Sequence, residues 1–139
     1  MTVTTKRIWV DLHADGDMAD ISAEAQAFVS SSGLSDGILT VFSVGSTSAV
    51  STIEYEPGLK EDMLHAFERI APANVDYEHH GKWHDDNGRG HVRSTFVGTS
   101  LVVPFTEKKL ATGTWQQIVV MNLDTSPRKR EVVLQVLGE

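Results

Sequence analysis

Along this chain the apolar positions recur with two different periods, and each change of period predicts a change of secondary structure. In TKRIWVDL, residues 5–12, Ile8 and Val10 alternate with polar neighbours, as in a strand with one buried face. After the turn-forming HADGD, the residues Ile21, Ala25, Phe28 and Val29 return at helical spacing. This predicts a helix over about residues 18–31, with Asp17 or Asp20 to cap its start and Gly33 to end it. DGILTVFSVG is a β-branched, apolar run bounded by glycines and predicts a central strand, which STSAVSTIEY continues as a second. In EPGLKEDMLHAFERIAP a stripe of Leu59, Met63, Phe67 and Ile70 between Pro57 and Pro72 predicts a second helix, with His65 on its polar face. The C-terminal third, from GTSLVVPF to VVLQVL, predicts three strands with turns near TEKK and DTSPRK, closing as an antiparallel meander. Two helices between an opening strand pair and a closing meander define an α+β class.

Composition narrows the chemistry. The chain has 139 residues, the length of one domain spanning 1–139. Nineteen acidic against twelve basic residues give a net charge of −7, which argues against a nucleic-acid partner. Cysteine is absent, so disulfides and thiolate ligands are excluded and any metal must take His, carboxylate or carbonyl donors. The opening MTVTTKRIWVDL lacks the apolar core of a signal peptide, and no stretch approaches the ~20 apolar residues of a membrane span. The expectation is a cytoplasmic protein without a membrane partner.

YEHHGKWHDDNGRGHVRS, residues 77–94, carries four of the six histidines together with Asp85, Asp86, Arg89 and Arg93. His79 and His91 can meet only if the glycine-rich DDNGRG turns back, and His80 and His84 would share a helix face. The stretch lacks the HExxH pattern of zinc proteases, and a metal site and a solvated loop both remain open. Arg93 with His91 has the chemistry to hold a phosphate, while an ion pair with Asp85 or Asp86 would use the same groups. In ATGTWQQIVV, strand alternation would turn Thr114 and Gln116 toward a ligand and pack Trp115 in the core. Trp83 is likewise expected in the core. No nucleophile elbow, Walker loop or dinucleotide fingerprint is present.

The ordered series GSTSAV, TIEYEPGLKEDM, YEHH, GHVRS, LVVPF, GTWQQIVV and REVV resembles the YjbQ-like family, whose members are often labelled secondary thiamine-phosphate synthase enzymes. The resemblance spans nearly the whole chain. It implies a layered sheet-and-helix α+β subunit that assembles as a homotrimer. His79 falls on the histidine of the family's Tyr-x-His-Asp motif, with His80 replacing the aspartate, and His91 and Arg93 fall on its His-x-Lys/Arg pair. Gly113 to Gln116 form its GTWQ. Two family histidines are missing: Ser46 begins the HTSA-like motif, and Glu61 stands where RHDM has its histidine. TIEYEP is also about two residues shorter than the family's TxNENxDP.

The enzyme implied would join a pyrimidine diphosphate to a thiazole phosphate and release pyrophosphate. His79, His91 and Arg93 would be its catalytic groups, with Ser46, Asp86, Thr114 and Gln116 binding the ligand. His79, His91 and His84 would hold a divalent ion, zinc or magnesium. The same residues would serve a non-catalytic trimer that binds a metal or a small phosphorylated metabolite. A structural trimer with a solvated histidine loop would bind neither.

Overall fold

The computed structural model describes residues 1–83 and 86–139, with the backbone alone at 82 and 83. Strands β1 (Thr2–Leu12), β2 (Asp17–Asp20), β3 (Gly37–Val44), β4 (Ser48–Ile53), β5 (Ser100–Thr106), β6 (Lys109–Leu110), β7 (Gln117–Asn122) and β8 (Arg128–Gly138) build two sheets. The helices are α1 (Ser22–Ser31), α2 (Pro57–Ile70), α3 (Glu78–Trp83) and α4 (Gly88–Val97). One sheet has the order β1-β8-β3-β5-β6 and the other β2-β7-β4, with every pair antiparallel.

The α+β class is as expected, with two differences. The His-rich segment adds α3 and α4 to the two expected helices. The C-terminal strands do not form one meander: β5 and β8 flank β3, while β7 crosses to the centre of the other sheet. The first arises because YEHHGKWHDDNGRGHVRS is polar and carries no apolar stripe of helical period, the second because pattern reports burial and period but not which strand lies alongside.

Layering follows from the two faces of β7. Ile118 and Val120 join the main core, where α1 (Ala25, Phe28, Val29) and β8 (Val132, Leu134, Val136) also pack. Val119 and Met121 face the opposite way, into a second core with Phe67 of α2, Met18 and Ala49. The three-stranded sheet is thus covered on both sides, by the larger sheet and by helices. Burying whole Val or Leu side chains contributes roughly 1.5–3 kcal/mol each, so these cores dominate stability.

Helix α2 begins as its sequence predicts. Glu56 accepts the amides of Gly58 and Leu59 at 2.8 and 2.7 Å, Pro57 supplies the first turn and Pro72 follows the C-cap Ala71. Along its stripe Phe67 is buried, but Ile70 is half exposed. Helix α1 starts later than expected, because residues 17–20 pair with β7 as β2. Asp20 still accepts the amide of Ser22 at 2.9 Å, and Gly33 at φ +80° ends the helix.

Candidate functional site at the loop end of the smaller sheet

Several connections meet at one end of the β2-β7-β4 sheet, and Asp124 ties them together. Its carboxylate accepts from the Thr47 hydroxyl at 3.0 Å, the Thr125 amide at 2.7 Å, Arg128 Nε and Nη2 at 3.2 and 3.0 Å, and Asn87 Nδ2 at 3.5 Å. Burial alone would raise its pKa. The Thr125 amide, the Thr47 hydroxyl and the charge of Arg128 outweigh burial and hold it below the usual carboxylate range.

Helix α4 enters this junction through its glycines. A Cβ on Gly90 would lie 2.3 Å from the Leu123 carbonyl oxygen, and one on Gly88 would lie 2.6 Å from Tyr77 Cβ. These glycines therefore permit close packing within a helix rather than the chain reversal expected from DDNGRG. Asn87 makes no side-chain capping bond; His80 Nε2 accepts the Gly88 amide instead, at 3.2 Å. That bond requires an unprotonated Nε2. Asp86 Oδ1 lies 3.7 Å from the same nitrogen, and the Asp86 side chain is 78% exposed.

The packing of α3 on α4 brings His79 and His91 together, with ring centroids 4.4 Å apart and planes inclined by 42°. His91 also edges a shallow depression of about 230 Å³ with Val92, Thr95 and Phe96. His84, the third histidine expected at a metal, lies outside the described residues. Among the described residues no three His, Asp or Glu side chains are grouped to hold a metal ion. The pair supplies two imidazoles, and any further donors must come from elsewhere.

Arg93 is buried and largely engaged. Its Nε and Nη2 donate to the carbonyl of Ala71, the C-cap of α2, at 3.1 and 2.8 Å, and Nη2 also donates to Glu68 at 2.9 Å. It closes a helix C-terminus, and its Nη1 lies 3.7 Å from the Asp15 carboxylate. Arg89 donates to Asp15 at 2.8 Å, and that bond raises its pKa despite burial. The Ala73 amide, followed by Arg93, holds the Glu68 carboxyl below its usual range.

Thr114 and Gln116 sit apart from the histidines. No strand runs through 113–116: the chain turns there, the Gly113 amide donates to Gln116 Oε1 at 3.0 Å, and Gln116 Nε2 donates to Thr52 at 3.1 Å. Gln116 lines a cleft of about 320 Å³ between β4 and β5. Trp115, expected in the core, is 73% exposed because the turn rather than alternation sets its direction. Ser46 is exposed on the β3–β4 turn, next to the buried Thr47 that Arg130 holds.

The residues not anticipated are Asp15, Asp124 and Arg130. Arg130 Nη2 donates to the Thr47 carbonyl, the Thr47 hydroxyl and Asn122 Oδ1 at 2.9, 2.7 and 2.6 Å. Burial pushes its pKa down, and the charge of Asp124 offsets only part of that. The available signals were the charged run in NLDTSPRKR and the turn-forming DG at 15–16.

An antiparallel α+β fold with its polar cluster at one sheet end defines a class, and comparison with known proteins gives its family. The model of the UPF0047 protein YjbQ-like family matches residues 6–139, and the chain belongs to that family. A UPF0047 protein of Archaeoglobus fulgidus is 36% identical over 121 residues, covering 87% of this chain and 91% of that protein. The crystal structure of a YjbQ-like protein of unknown function from Sulfolobus solfataricus superposes with a TM-score of 0.94 at 33% identity, covering 99% of each chain. That of a hypothetical protein from Aeropyrum pernix gives 0.90 at 30% identity, covering 98% of this chain and 99% of that one.

Proposed function

We propose that the protein binds a small phosphorylated metabolite at the junction of α3 and α4, with a divalent ion held in part by His79 and His91. The observation that carries this reading is the 4.4 Å approach of the two imidazoles, which brings together side chains twelve positions apart. Thiamine-phosphate formation is the secondary activity this site would support. The thiazole nitrogen attacks the pyrimidine methylene carbon, the carbon–oxygen bond to the diphosphate breaks, and pyrophosphate leaves with its electron pair. A divalent ion and cationic side chains would stabilise that leaving group. Nothing in this chemistry requires a secretory route, and a cytoplasmic homotrimer fits the reading.

The test separates metal from phosphate by the sign of their pH dependence. Imidazole must be neutral to ligate a metal and charged to attract an anion. Zinc or magnesium affinity should fall as protons compete for the imidazoles at lower pH, whereas phosphate held by imidazolium should tighten. Calorimetric titration of wild type, His79→Ala and His91→Ala checks this. Unchanged affinity for both ligands in both variants would refute a role for the pair.

A further inference from the structure

We infer that Arg130 forms the floor of a second site, at the β3–β4 turn, that takes an oxyanion: inorganic phosphate or the phosphate group of a small monoester. This goes beyond the histidine pair and uses different residues. Arg130 is only 7% exposed, yet every hydrogen bond its guanidinium makes among the described residues goes from Nη2 to a neutral oxygen of Thr47 or Asn122. Its Nε is buried with no hydrogen-bond partner. Its Nη1 lies against Gly45: a Cβ there would come within 3.0 Å of it.

Charge bookkeeping at this spot leaves a positive excess. Asp124, the buried carboxylate closest in the network, already receives Arg128, the Thr47 hydroxyl and the Thr125 amide. One carboxylate therefore faces two guanidiniums. A buried cation without a directly bonded anion is unfavourable unless something neutralises it. Gly45 has no side chain, at φ +142°, and Ser46, next in the chain, is exposed. An oxyanion alongside Gly45, on the side that faces Nη1, would accept from Arg130 Nη1 and from the Ser46 hydroxyl while the rest of the ligand stayed in solvent. Arg93, the arginine expected to hold phosphate, is committed to Ala71 and Glu68. The alternative is that Arg130 only clamps the turn through Thr47.

Thermal denaturation of the intact protein at pH 7.5, with sodium phosphate against sodium chloride at equal ionic strength, distinguishes the two. Wild type should show a saturable, phosphate-specific rise in Tm. Ser46→Asp should place a carboxylate over the guanidinium, raise Tm without phosphate and abolish the phosphate increment. Arg130→Lys, where it folds, should weaken phosphate binding at least tenfold, and Lys109→Ala, exposed on strand β6, should leave the increment intact. A wild-type response no larger than that to chloride overturns the inference, as does a full increment in Ser46→Asp. If the increment is lost in His91→Ala and kept in Ser46→Asp, the anion sits at the histidines; that sinks this inference and leaves the reading of the histidine pair standing.

Discussion

Gly90 and Gly81 are both helical glycines, and their surroundings give opposite expectations. A methyl group at 90 meets the Leu123 carbonyl oxygen at 2.3 Å, a backbone atom that cannot rotate away, whereas nothing lies within 4 Å of one at 81. Gly90→Ala should therefore cost about 1–3 kcal/mol through overpacking, and Gly81→Ala should be neutral or stabilise by about 0.5–1 kcal/mol through its better helix propensity. Denaturant midpoints of the two variants check this, and equal shifts would show that α4 does not press on the 123–124 connection. Asp124 gives a pH-dependent counterpart. Its pKa is lowered in the folded state, so its contribution is complete above the unfolded value of about 3.9 and disappears as pH falls through the folded one. Asp124→Asn should cost about 1–3 kcal/mol at pH 7 by weakening a buried hydrogen-bonded network. Urea titrations should show the gap from wild type closing below pH 4; a gap constant from pH 7 to pH 3 would mean that the charge is irrelevant.

At the scale of elements, the turn at 113–116 decides how the exposed indole behaves. Trp115→Ala should change stability by less than about 0.5 kcal/mol, since the side chain leaves the core empty-handed, while a buried Trp would cost ~3–5 kcal/mol. Thermal unfolding measures the difference, and a loss in the larger range would put the indole against the protein. The case also shows where local pattern stops being informative. Helix α2 was legible because its cap, prolines and stripe are all local, and β3 because its apolar run is long and bounded by glycines. Alternation read backward from β7 failed at Trp115 because the strand begins at Gln117. The start of α1 was misplaced because a four-residue strand such as β2 carries too little period to detect. His79 and His91 were identifiable as a pair by residue type, yet Arg93 gave no sign in the sequence that its partner would be a carbonyl twenty-two positions earlier.

For the whole molecule, the outer face of the larger sheet bears on assembly. Trp9 and Val44 flank Glu131 in one row, Phe42 lies beside Val133, and Ile38 beside Leu137, with Trp9 55% and Phe42 42% exposed. Several large apolar side chains exposed on one sheet face, interspersed with Glu131, Arg7 and Gln135, suit an interaction face. We place the proposed homotrimer contact there. Light scattering of wild type at micromolar concentration should give the mass of three 15.2 kDa chains, and Phe42→Asp should give one. A monomeric wild type would refute the assembly, and a trimeric Phe42→Asp would move the contact elsewhere.

The strand order has a further consequence, for how the protein is made. Strand β8 lies between β1 and β3, and its register runs from Thr2 opposite Gly138 to Leu12 opposite Arg128. Ribosomes deliver residues in chain order, so β1 and β3 emerge well before the strand that will separate and join them. Until then both present unpaired edges with no partner yet synthesised, the condition under which strands join the wrong neighbour. The strand that joins β1 to the rest of the larger sheet is the last part of it to exist, and a nascent chain stalled before residue 128 has no way to close that sheet, whatever the quality of the cores already translated.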